Sequence, residues 1–282
     1  MTPRVESLPA ADGPPDFDET FSGEVAPERW VAHYLPHWTT PERSAARYRV
    51  LPEGGLELRI EDDQLDWRPE DAPLRVSNLQ TGTTAGRLGA GEGMHRHRSD
   101  GLTVRTETPE RLLWAPSGGR IDVTVSASNG AHCMLAAWLV GTEHRGAEDS
   151  GEVCIFEIDA DAVRPQTTAR VGIKAHRDPR LVADMGEVVL PFEGTRPHTW
   201  TVVWGAGETV IGCEGIVVRR IAQSTSYPML LMLDLFEIGD PAGRYPKTAV
   251  IHRVRGWGSS IRGITGDTPG GMSGFARSPG ST

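Results

Sequence analysis

The chain has 282 residues, 38% hydrophobic and 24% charged, with a formal net charge of −9. It is long enough for an ample core, and its negative balance argues against nucleic acid or an anionic membrane as a main partner. Cys133, Cys154 and Cys213 lie far apart with no CxxC pair, which suggests neither a zinc site nor a disulfide framework and fits a reducing compartment.

Residues 1–16 are rich in Pro, Ala and Asp and read as an irregular arm. They contain no apolar signal core, so the chain as given reads as cytosolic, or as secreted if a leader has been trimmed away. From residue 17 to 258 strand signals follow one another at short spacing, punctuated by Gly and Pro. "RYRVLPEGGLELRIED" (47–62) reads as strand, turn and strand, with Leu56, Leu58 and Ile60 alternating inward. A long Gly-rich insert, "TGTTAGRLGAGEGMHRHRSDG" (81–101), follows. It reads first as a solvated loop, and it could also lid a cleft.

"GGRIDVTVSAS" (118–128) alternates, whereas "AHCMLAAWLVG" (131–141) is continuously apolar, as a strand covered on both faces would be. Further strands are expected at 151–159, 168–176, 199–207, 209–221, 228–239 and 247–258. The longest apolar run, "YPMLLMLDLF" (227–236), falls well short of the ~20 residues of a membrane span. Residues 259–282, rich in Gly, Ser, Thr and Pro, read as a loosely packed tail. There is no βαβ alternation. The expected fold is all-β, an antiparallel β-sandwich or jelly roll formed by one domain over 17–258.

The order of these pieces resembles glycoside hydrolase family 16, the concanavalin-like lectin and glucanase sandwich. The resemblance covers roughly residues 16–258. "FDETFSGEVAPERW" (17–30) is similar to the family's opening, in which an Asp/Glu-Phe pair and a later Trp tie the first strand to the sandwich. "GGLELRI" (54–60), "GGRIDVTVSASNGAHCMLAAWLVG" (118–141), "HTWTVVWGAGETVIGCEG" (198–215, with Glu214 where Asp is usual) and "RVRGWG" (253–258) resemble later family strands in sequence order. The diagnostic element of the family is E-x-D-x-x-E, answered here by Glu152-x-Cys154-x-x-Glu157.

Side chains alternate along a strand, so Glu152 and Cys154 share a face, while Glu157 at an odd offset falls on the other. One bulge residue restores the parity and brings all three into a cleft. The resemblance then implies a retaining endo-β-glycosidase acting on β-glucan-type polysaccharide. Glu152 is its nucleophile and Glu157 its general acid/base, with carboxyls ~5–5.5 Å apart. Cys154 replaces the Asp that assists the nucleophile. Losing one hydrogen bond to a charged group costs ~1.5–3 kcal/mol, roughly 10- to 150-fold in rate if all of it falls on the transition state. The alternative is a cytosolic, non-hydrolytic descendant. It would bind carbohydrate, or use the cleft glutamates as general acid and base on a small molecule in a biosynthetic pathway.

Four further residues are candidates for ligand contact. Trp138 stands where the family tryptophan lines the sugar cleft, or else packs in the core. His176 ends the strand after the glutamate strand, where it meets substrate or simply solvent. His95 and His97 lie in the Gly-rich insert. Two histidines two apart could bind a metal, but no further ligands follow at a telling spacing, so no metal or other cofactor is expected. The expected partner is a carbohydrate or other small molecule. The sequence is silent on oligomeric state.

Overall fold

The structure, a computed structural model, describes residues 6–98 and 100–258; the predicted tail at 259–282 lies outside the described residues. The strands, in chain order, are β1 (Phe17–Glu19), β2 (Arg47–Val50), β3 (Leu56–Ile60), β4 (Leu74–Gln80), β5 (Gly82–Thr83), β6 (Arg111–Leu112), β7 (Gly119–Ser126) and β8 (Cys133–Gly141). They continue with β9 (Glu152–Asp159), β10 (Thr168–Lys174), β11 (Asp184–Val189), β12 (His198–Gly205), β13 (Glu208–Cys213), β14 (Ile216–Ile221), β15 (Met229–Ile238) and β16 (Lys247–Gly258).

One sheet runs β14-β13-β12-β7-β16-β3-β2, with β1 also paired to β16; the other runs β11-β10-β9-β8-β15-β4. Their pairings are antiparallel, as expected for a jelly-roll sandwich. The expected segment 209–221 is two strands rather than one. Glu214 (φ 51°) and Gly215 (φ 76°) form the tight turn between β13 and β14, and such left-handed pairs match the twist of a two-residue hairpin. Two edge strands, β4 and β11, carry little apolar alternation and escape a sequence reading.

The N-terminal arm is tied down where it is described. Leu8 N–H donates to Gly215 O (2.9 Å) and Val217 N–H to Glu6 O (2.9 Å), so the arm runs along the β14 edge and covers it. The opening segment does what its resemblance implied: β1 pairs with β16, and the Phe17 and Trp30 rings meet edge to face at 5.4 Å.

Parity sorts the six-stranded sheet into two faces. Leu135, Ala137, Leu139, Leu231, Leu233 and Leu235 point into the core between the sheets. Met134, Ala136, Trp138, Val140, Leu230, Met232 and Phe236 point to the sheet's outer face and are buried there too. Both faces are covered, which is why β8 is continuously apolar and β15 is apolar apart from Asp234 and Glu237. The outer cover comes from outside the sheet: Tyr34, Leu35, Trp38, Trp67, Met94, Leu102 and Val104. The Gly-rich insert is therefore a solvated loop only in part: residues 87–89 are exposed, but residues 94 and 95 are not. Met94 is fully buried, and its carbonyl accepts from Trp38 Nε1 (3.1 Å) and lies 3.1 Å from His37 Nε2.

Candidate active site

The site lies on the outer face of β9 and is set by a break in that strand. Trp138 lies opposite Cys154 and Ala137 opposite Phe156, so Ile155 has no partner on β8. On the other side Gly172 faces Cys154 and Arg170 faces Glu157, one β10 residue spanning the interval of two on β9. Ile155 and Phe156 both enter the core as a result, and the parity of everything beyond them is reversed. Glu152, Cys154 and Glu157 thereby share the outer face. Gly172 supports this geometry: its φ of 148° suits glycine, and a Cβ there would collide with the Asp184 carbonyl.

Both carboxylates are buried, Glu152 to 1% exposure and Glu157 to 6%, and each faces a cation across the β9–β10 pairing. Lys174 is the register partner of Glu152, and Arg170 of Glu157. The Lys174 ammonium stands 2.9 Å from Glu152 Oε1, an ion contact without a hydrogen bond, and donates to Glu157 Oε1 at 2.6 Å. Those two contacts end to end hold the Oε1 atoms no more than about 5.5 Å apart, no farther than the carboxyls of a retaining pair.

Glu157 has two further donors. Oε1 accepts from Trp138 Nε1 (3.2 Å) and Oε2 from Arg170 Nε (3.0 Å), while Arg170 also pairs with Asp159. With two N–H donors on Oε1 and one on Oε2, Glu157 is engaged as an acceptor by Trp138, Lys174 and Arg170.

Glu152 is an ionised carboxylate. Burial pushes its pKa up, but the hydrogen bond from His176 Nε2 to Oε2 (3.0 Å) and the charge of Lys174 outweigh burial and hold it at about 2. Cys154 is a neutral thiol: burial pushes its pKa well above the usual range, and Glu157 and Glu152 add to that. Its Sγ–H donates to the Arg170 carbonyl (3.5 Å) rather than to Glu152. It stands at the assisting position without giving the assisting hydrogen bond.

Trp138 is 6% exposed, with its ring beside those of His95 (6.2 Å) and Phe236 (5.5 Å) and the Lys174 ammonium 4.9 Å from its centre. It is a buried wall of the site rather than an open sugar platform. His176 reaches the pair with 27% of its side chain exposed. His95 reaches it too, with Nδ1 3.9 Å from Glu152 Oε2. Burial lowers its pKa to about 4 against the pull of Glu152, so the ring is neutral.

His97 does not reach the pair. It lies 3.0 Å from Asp71 Oδ2 and packs against Trp67, so the two neighbouring histidines separate. Sequence reasoning missed Lys174 and Arg170. Their signal was the alternation of "TARVGIK", which puts Val171 and Ile173 inward and both cations outward. The partner of each cation depends on register.

Next to His95, Glu143 accepts its backbone N–H (2.7 Å) and pairs with Arg177. Burial pushes the Glu143 carboxyl up to about 7 against the charge of Arg177. A cavity of about 280 Å³ opens there, lined by Thr84, Met94, Arg96, Glu143, His144 and Arg177.

No family model matches the chain, and no curated protein matches its sequence. Solved structures do match. A GlcNAcα1-4Gal-releasing endo-β-galactosidase from Clostridium perfringens aligns over 90% of this chain at 23% identity and a TM-score of 0.75; the chain spans only 65% of that protein. The catalytic domain of a laminarinase from Thermotoga petrophila aligns over 89% of this chain and 100% of its own, at 14% identity and a TM-score of 0.60. A mutant of a non-specific endo-β-1,3(4)-glucanase of family GH16, co-crystallised with 1,3-β-D-cellotriosyl-glucose and presenting a 1,3-β-D-cellobiosyl-glucose at its active site, aligns over 91% of this chain and 99% of its own, at 15% identity and a TM-score of 0.60. At such identities the likeness shows the fold, which is the jelly-roll sandwich of these endo-glycosidases.

Proposed function

We propose that this chain is a non-hydrolytic carbohydrate-binding protein, which takes a short saccharide on the open half of the site rather than a polymer. The observation that carries this reading is the cover on the outer face. A polysaccharide chain needs a groove across the whole sheet, and here Trp38, Trp67, Met94, Leu102 and Val104 fill the part over β4, β15 and β8. The polar groups left partly open are Lys174, His176 and Arg170 on and beside β10. Their donors, with the Glu152 carboxylate behind them, suit the hydroxyls of one or two sugar units. The occupied oxygens of Glu157 and the turned-away Cys154 thiol support the absence of hydrolysis.

One observation favours a second reading, a retaining glycosidase of low activity: the shared Lys174 ammonium holds the two carboxylates no farther apart than such pairs stand. A single experiment separates the two. Wild type, Glu152→Gln and Cys154→Asp are incubated with β-glucans, galactans and aryl glycosides, and short oligosaccharides are titrated by calorimetry. The proposal expects no turnover by any of them and saturable binding of di- or trisaccharides that Glu152→Gln weakens. Turnover that Glu152→Gln abolishes and Cys154→Asp raises by 10-fold or more would establish the glycosidase instead.

A further inference from the structure

Among the described residues, the most unusual grouping is not the carboxylate pair. It is a convergence of two imidazoles on one carboxylate from three separate segments. His95 comes from the insert, Glu152 from β9 and His176 from the end of β10, and one ligand atom of each lies within 4.8 Å of the other two. We propose that His95, Glu152 and His176 form a site for a divalent transition-metal ion, with Glu152 Oε2 as the shared oxygen ligand.

The donor set fits the ion. Two histidines and one carboxylate with a position left open is a ligand set that zinc, cobalt and ferrous iron accept, whereas calcium and magnesium prefer oxygen alone. Ligands ~2.0–2.2 Å from one ion lie about 3–3.5 Å apart. His176 and Glu152 already stand at 3.0 Å, His95 stands 3.9 Å from the same oxygen, and the ligand atoms, all within 4.8 Å of one another, need to close by about an ångström.

The charge around the ligands leaves room for a cation. Glu152, Glu157 and Asp159 share only Lys174 and Arg170. The ammonium sits at Oε1 and leaves Oε2 to face the two histidines. The backbone is set for the purpose as well. His95 (φ 50°), His176 (φ 47°) and Glu143 (φ 53°) all adopt the left-handed conformation, which is uncommon away from glycine. Strain at each of three positions around one point is held there by surrounding contacts, and such outliers cluster at functional sites. Glu143, tied to Arg177, holds the His95 backbone in place, as groups behind metal ligands do.

The open side of the ion would face the exposed flank of His176, where a ligand hydroxyl can complete the coordination. This last step rests on the saccharide reading; the metal site does not.

The test titrates Zn²⁺ and Co²⁺ into chelator-treated, full-chain protein, read by calorimetry and by the visible absorption of bound Co²⁺. The expected result is one equivalent per chain, with affinity falling at least ~10- to 100-fold in His95→Asn and in His176→Asn. Asparagine tolerates the left-handed backbone, and circular dichroism confirms that each variant is folded. His97→Asn and His144→Asn should bind as wild type does. Absence of stoichiometric binding, binding that survives both ligand variants, or binding lost in His97→Asn would each overturn the site. No sugar enters this titration, so its failure would leave the saccharide reading standing, and failure of sugar binding would leave the metal site standing.

Discussion

Asp234 offers a sharp test of how the covered outer face is organised. It sits on β15 opposite Asn78 of β4, fully buried, and its Oδ1 accepts from Asn78 Nδ2 at 2.7 Å. Asp234 Oδ2 and Asn78 Oδ1 are both buried without a partner. A proton on Oδ2 would make it a donor for Asn78 Oδ1. Burial raises the Asp234 pKa well above the usual carboxylate range, in spite of the hydrogen bond from Asn78, and the charge of Glu152 raises it further. A carboxyl whose folded pKa is raised contributes stability below its unfolded value of ~3.9 and loses it as pH rises. Each pH unit over which the folded chain keeps a proton that the unfolded chain has released costs ~1.4 kcal/mol.

Asp234→Asn keeps the shape, supplies an N–H donor in place of the proton and has no titration. The variant should match wild type in stability near pH 4 and exceed it by at least ~1.4 kcal/mol at pH 8. Urea melts at pH 4, 6 and 8 measure the difference. A gain that is the same at all three values, or a loss at pH 8, would show that Asp234 is ionised in the native state and that the reasoning is wrong.

The bulge, the cover and the thiols each give a further prediction. Gly172→Ala should destabilise by about 2–4 kcal/mol, because it combines a strained φ with a collision at Asp184; a urea melt within 0.5 kcal/mol of wild type, taking ~0.5 kcal/mol as the usual surface effect, would mean that the β9–β10 irregularity is not fixed by this residue. Met94→Ala should cost about 2–5 kcal/mol, as for any fully buried methionine, and a loss under ~1 kcal/mol would show that the insert unfolds separately from the sheet beneath it. Cys133, Cys154 and Cys213 are all buried with raised pKa values, so native protein at pH 8 should resist alkylation that urea-unfolded protein undergoes at all three. Rapid labelling of Cys154 in the folded state, mapped by peptide mass, would contradict its burial under the cover.

The odd interval between Glu152 and Glu157, together with the expectation that both serve one face, was enough to demand one extra residue in β9, and Ile155 is that residue. The alternation of Leu56, Leu58 and Ile60, and the unbroken apolar run of β8, placed strands where the sheets have them. Edge strands such as β11, with four of its six residues only half-buried, left no such pattern. These are properties of neighbouring residues along the chain: the two-residue period of a strand fixes which side chains share a face, whatever the strand packs against.

Tertiary structure alone decided the character of the site. The same alternation that turns Lys174 and Arg170 outward says nothing of what they face, and only the β9–β10 register sets them against Glu152 and Glu157. Two histidines two apart looked equivalent in the insert. Folding sends His97 to Asp71 and Trp67, and His95 to the buried carboxylate. The insert itself reads as polar and Gly-rich, yet Met94 is buried because it meets Trp38, far from it in sequence, over the outer face of the sheet. Such contacts depend on register and on long-range packing, and neither leaves a period in the sequence. The residues of the site were legible one by one; their charge balance, the cover beside them and their convergence on Glu152 exist only in the fold.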